Sequence, residues 1–136
     1  MISFNLCADF SIFPDNHELG PNFSLAGFIF NQLGGMLMFV NVTGDGQGLQ
    51  VPDEGIEVVL PTTVAAVDIC AGAFNSEAKI IALDVDGNEV ATRAVPPLND
   101  YIDIRMTSSS GIAALRFKGG GNELIIPKIC ITICCC

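Results

Sequence analysis

The chain has 136 residues, 50% hydrophobic and 15% charged, with a net charge of −9. Six Lys and Arg against fifteen Asp and Glu exclude a nucleic-acid surface, whose affinity draws on clustered cations, and disfavour anionic membranes. The length fits one domain, and no apolar run approaches the roughly 18 residues a membrane helix needs; the longest, 27–40, is broken by Asn31, Gln32 and the Gly34-Gly35 pair.

The dominant period is two, the signature of strands with one face buried. Met1 leads straight into a first strand at 2–10, with no positive segment or small-residue cleavage site. The chain therefore reads as one that has lost a leader or reaches its destination without one. Further strands are expected at 23–30 and 36–42. The stretch from Thr43 to Gly55 holds four glycines and reads as the longest irregular loop, the best place for a ligand-facing segment. Strands follow at 56–60, 64–72, 78–85 and 88–95. Asp86-Gly87-Asn88 between the last two is a hairpin turn, since Gly and Asn tolerate positive φ. Tyr101-Ile102-Asp103-Ile104-Arg105-Met106 alternates strictly within a strand at 100–106, and strands at 111–117 and 123–134 complete the set. No segment reads as a helix. The expected fold is all-β, a two-sheet antiparallel sandwich of jelly-roll type, with 1–136 as a single domain and 130–136 as a Cys-rich terminal strand or extension.

Alternation also places the six cysteines. Ile2, Phe4, Leu6, Ala8 and Phe10 share one face of the first strand, which leaves Cys7 on the other with Ser3, Asn5 and Asp9. In the last strand Ile129, Ile131 and Ile133 lie opposite Lys128, Cys130, Thr132, Cys134 and Cys136. Cys70 shares a side with Asp68, away from Val67 and Ile69. Because successive side chains point to opposite faces, five of the six cysteines fall on the polar face, Cys135 being the exception. Outward cysteines can pair across strands of one chain, pair between chains, bind metal or remain thiols, and six of them admit many connectivities. Adjacent cysteines form only strained bridges with each other, so at least one of Cys134, Cys135 and Cys136 should reach elsewhere. Cys130 and Cys134 are spaced poorly for tetrahedral zinc, and the last four residues lack the leading cysteine of a prenylation signal. No cofactor is expected.

Other candidates read as ordinary structure. Asp84 to Glu89 has the oxygen donors of a calcium loop without EF-hand spacing, and Asp45, Asp53 and Glu54 read as loop polarity. His17 is the sole histidine and sits in a turn. No nucleophile elbow, phosphate loop or zinc-hydrolase pattern occurs, so no enzyme is expected. Trp is absent and Tyr101 is the only tyrosine, which leaves few flat rings for sugar stacking.

Cys7-Ala8-Asp9-Phe10, Val67-Asp68-Ile69-Cys70, Ala82 to Asn88, and Gly119-Gly120-Gly121-Asn122-Glu123 followed by Ile129-Cys130 together resemble bacterial jelly-roll domains of surface and secreted proteins, similar to carbohydrate-binding modules. That resemblance, with the placement of Cys7 and Cys130 on the first and last strands, implies a bridge between them. A leaderless jelly roll with a cysteine-bearing end also resembles the subunits of endospore appendages, fibres cross-linked by disulfides. Together these favour a self-assembling structural subunit of an extracellular or spore-surface fibre, a homopolymer with augmented strands joined through Cys70 and the terminal trio. The alternative is a carbohydrate-binding or adhesion module with polysaccharide as its partner.

Overall fold

A computed structural model describes residues 2–43 and 46–135, and residues 2, 43, 134 and 135 by their backbone alone. Eleven strands run in chain order: β1 (Ile2–Asp9), β2 (Glu18–Gly20), β3 (Asn22–Leu25), β4 (Phe28–Gln32), β5 (Met38–Thr43), β6 (Gly46–Val51), β7 (Ile56–Ala73), β8 (Ala78–Leu83), β9 (Glu89–Val95), β10 (Tyr101–Gly119) and β11 (Leu124–Cys135). One turn of 3-10 helix, Phe10–Ile12, follows β1, where the Asp9 carboxylate accepts from the Ser11 amide. Every pairing is antiparallel. The all-β jelly-roll sandwich expected from the two-residue rhythm is the fold observed.

Hydrogen bonding joins the strands in one continuous ladder, which β7 and β10 carry from one layer to the other. Near Val58 and Leu115 they belong to a first sheet, in the order β3-β4-β7-β10-β8-β9. Near Ile69 and Ile104 they belong to a second, in the order β2-β5-β6-β11-β7-β10, with β1 continuing the β6 edge of β11. The crossing falls where their register shifts, between Thr107 and Ala114 of β10, opposite Val59 to Ala66 of β7. Such irregularities let a strand turn a corner between sheets. Pro61, which cannot donate to a ladder, stands at this corner.

The inward faces meet in one core. Val58, Leu115 and Phe117 of the first sheet and Val67, Ile69, Ile129 and Ile131 of the second are all at most 1% exposed. Phe10, Phe23 and Phe30 close one end, with Phe10 edge-on to both others and Phe23 stacked on Phe30 at 4.6 Å. Edge-on and stacked aromatic pairs add to the energy of burial alone.

Four expectations are corrected. The strand expected at 23–30 is two strands, because Ala26 and Gly27 turn the chain with φ of 53° and 84°. The pairs 56–60 with 64–72 and 100–106 with 111–117 are each one long bent strand. The loop expected from Thr43 to Gly55 contains β6, whose pairing with β5 and β11 overrides the low strand preference of glycine. At Gly48 the approach of β11 requires glycine: a Cβ there would lie 2.6 Å from the Ile126 carbonyl carbon. Finally, the short β2 carries no alternation long enough to announce it.

Candidate functional site

The antiparallel register lines up two rows of side chains across the outer face of the second sheet. One row runs Asp103, Cys70, Lys128, Asp9; the other runs Arg105, Asp68, Cys130, Cys7. Their inward neighbours Ile69, Ile104 and Ile129 are buried, so alternation forces these polar residues outward. A cavity of about 320 Å³ opens between the rows, lined by Asp68, Cys70, Asp103, Arg105, Lys128 and Cys130. A second cavity of about 320 Å³ shares Cys70, Asp103 and Lys128 and continues to Asp9, Ser11 and Gln47. Together they form a groove that crosses the strands.

The groups in this groove are held in place. Arg105 Nη1 donates to both oxygens of Asp68, at 3.0 and 2.9 Å, although both side chains are more than half exposed. An exposed pair of this kind contributes about 0–1 kcal/mol to folding. The Ser11 amide and hydroxyl hold the Asp9 carboxyl below its ordinary value, with Lys128 adding to the effect. Burial, reinforced by the Asp103 charge, pushes the Cys70 thiol up. Gln47 Nε2 donates to the carbonyls of Phe10 and Phe13, tying β6 to the 3-10 turn.

Tyr101 stands at one end of this face. Its ring lies edge-on to Phe74 at 5.3 Å and rests over Gly46 and Gly72, where a Cβ would come within 2.6 and 3.0 Å of ring atoms. The hydroxyl donates to the Gly46 carbonyl at 3.4 Å. Burial raises the phenol to about 12. The ring thus packs against backbone, and none of the residues lining either cavity is aromatic.

The cysteines are arranged as follows. Cys7 and Cys130 face each other in register and are joined by a disulfide, with Cα atoms 4.1 Å apart. Cys70 lies in the groove, half-buried and without a disulfide partner among the described residues. Cys134 and Cys135 continue β11 opposite Ser3 and Ile2; their side chains, and all of Cys136, lie outside the described residues, as does Asp45.

The remaining candidates are absorbed by local structure. The Asp84 carboxylate accepts from the amides of Asp86 and Asn88, at 3.0 and 2.8 Å, so it shapes its hairpin. Asp53 accepts from the Gly121 amide at 2.8 Å and anchors the three-glycine turn. His17 stacks on Phe13 at 5.1 Å. No group of three or more His, Cys, Asp or Glu among the described residues could hold a metal ion. Sequence reasoning named Cys70 and Cys130 but missed the charged residues around them. The signal was available, since Asp68, Asp103, Arg105 and Lys128 are outward residues on strands already placed. What was missing was the strand order that makes them neighbours.

No protein-family model and no curated protein matches the chain. Solved structures do. A mutant of CBM29-2, a family 29 carbohydrate-binding module complexed with mannohexaose, superposes with a TM-score of 0.57 at 10% identity, over 97% of this chain and 93% of that one. CBM29_1, a family 29 module from Piromyces equi, gives 0.57 at 10% identity, over 100% and 94%. The likeness is one of fold. It overturns the reading of the chain as a self-assembling fibre subunit: the structures that share its architecture are carbohydrate-binding modules, and the resemblance to endospore appendages finds no support. The physical reason lies in the register. Cys70, which that reading assigned to a bond between chains, lies half-buried in a row between Asp103 and Lys128, and no sheet edge presents it to a second chain.

Proposed function

We propose that the chain is a non-catalytic polysaccharide-binding domain, acting outside the cell or at its surface, that holds its ligand in the groove on the outer face of the second sheet. The observation that carries this reading is the transverse polar groove, with Arg105 fixed on Asp68 beside Asp103 and Lys128. A sugar hydroxyl is both donor and acceptor, and a carboxylate beside a guanidinium or ammonium offers both partners at once. The jelly-roll likeness to carbohydrate-binding modules supports the same reading. So does the disulfide, which persists in an oxidising setting.

The test is affinity electrophoresis through gels containing single polysaccharides, comparing the native chain with the Asp68→Ala/Arg105→Ala double variant. Retardation of the native chain alone, with both proteins folded by circular dichroism, is the expected result. Equal mobility in every gel would reject the reading.

A further inference from the structure

We infer that the groove takes a neutral glycan chain laid across the strands, engaging about three consecutive sugar units. This deepens the polysaccharide-binding reading and rests on it. The two cavities are contiguous and share Cys70, Asp103 and Lys128. They lead from β10, which carries Asp103 and Arg105, over β7 and β11 to Asp9 at the end of β1 and Ser11 beyond it. Three strand spacings separate β10 from β1, roughly 14 Å in all. Each pyranose of an extended chain advances by about one such spacing, so the length matches about three rings.

Charge selects the class of ligand. Three carboxylates, Asp9, Asp68 and Asp103, face two cations, Arg105 and Lys128. Arg105 is already bound to Asp68, and Lys128 stands in register beside Asp9, on which its charge acts. Neither cation is free of a carboxylate neighbour, and the whole chain carries −9, so an acidic glycan meets repulsion. The missing aromatic platform makes length necessary. Without stacking, each sugar contributes through hydrogen bonds of about 0.5–1.5 kcal/mol each, and affinity accumulates only by occupying successive positions.

The experiment is isothermal titration of the intact protein with cello- and manno-oligosaccharides of one to six units, and with oligogalacturonate as the acidic probe. In at least one neutral series, affinity should rise about tenfold per added unit up to three, as two hydrogen bonds per unit would give, and then level off. Oligogalacturonate should bind at least tenfold more weakly than the neutral trisaccharide. Ser11→Tyr, at an exposed position, should block the far cavity, so that the gain in affinity from the second to the third sugar unit is lost. A monosaccharide that binds as tightly as the trisaccharide, a Ser11→Tyr variant with full length dependence, or equal binding of the acidic probe would overturn this inference while leaving the polysaccharide-binding reading standing. Absence of binding to every probe at millimolar concentration would overturn both.

Discussion

On the second sheet the outward side chains of the central strands are Asp68, Cys70, Asp103, Arg105 and Lys128, and they enclose a groove. On the first sheet the corresponding row runs Ser24, Ile29, Val59, Ala114, Leu83, and there Ile29 and Val59 remain 46% and 37% exposed. The same two strands, β7 and β10, contribute to both rows, one on each side of their corner. The next outward row of the first sheet, Asn31, Glu57 and Arg116, carries an ion pair of its own, so both faces hold charge. What the corner changes is which residues turn outward: Val58 is buried beside an exposed Val59, and a few residues on Val67 and Ile69 are buried beside an exposed Asp68.

The two sheets also differ in what holds them, and substitutions can separate the two. The largest effect is expected at the aromatic end of the first sheet. Phe30 is fully buried against Phe10 and Phe23, so Phe30→Ala should lower unfolding free energy by about 3–5 kcal/mol in urea titrations. A loss under 1 kcal/mol would show that this end repacks freely.

The second sheet depends instead on Cys7–Cys130, which ties together residues 123 positions apart. Replacing both cysteines by serine should lower stability by about 2–4 kcal/mol, since the bridge restricts the unfolded chain. Hydrogen exchange should quicken in β1 and β11 before it does in β8 and β9. Uniform quickening would show that the two layers unfold as a unit.

Groove residues should reverse this pattern, with much binding and little stability at stake. Asp68→Ala/Arg105→Ala should shift unfolding free energy by no more than about 1 kcal/mol. It should also weaken glycan binding at least tenfold by titration calorimetry. A large stability loss would move the pair from ligand presentation to structure.

Tyr101 gives a spectroscopic readout at the end of the groove. Its phenol is raised to about 12 from an ordinary 10.0. The folded state therefore keeps its proton where the unfolded state has lost it. The associated stability is complete below pH 10 and is lost between pH 10 and about 12. As the only tyrosine in the chain, it should show one phenolate absorbance step near pH 12, shifting toward 10 in denaturant. A step at 10 in the folded protein would mean that the ring is open to water.

The smallest effect belongs to Asp9. Its lowered value means that the stabilisation is present above the ordinary carboxylate range and lost as pH falls through its folded value. Asp9→Asn should lower the neutral plateau slightly and flatten the acid limb of the stability curve below about pH 4, the two curves meeting at low pH.

Much of the fold was legible because burial on a strand leaves a two-residue signature. Ile129 and Ile131 against Lys128 and Cys130, and Ile104 against Asp103 and Arg105, point inward and outward as their alternation implies. Asp86-Gly87-Asn88 is the turn its residues suit, with Gly87 at φ 81°. β6 was hidden because its strand character comes from β5 and β11 on either side of it rather than from its own glycines. The turn at Ala26 was hidden because alanine seldom adopts positive φ.

By itself, then, the sequence determined most of the strands, their inward faces and the outward aim of Cys7, Cys70 and Cys130, because alternation is a local property of the chain. Tertiary structure alone decided that Asp103, Cys70, Lys128 and Asp9 stand side by side, and that Cys7 meets Cys130. Those residues lie on four strands whose order and register are set by long-range pairing, and no short-range pattern records which strand will lie beside which.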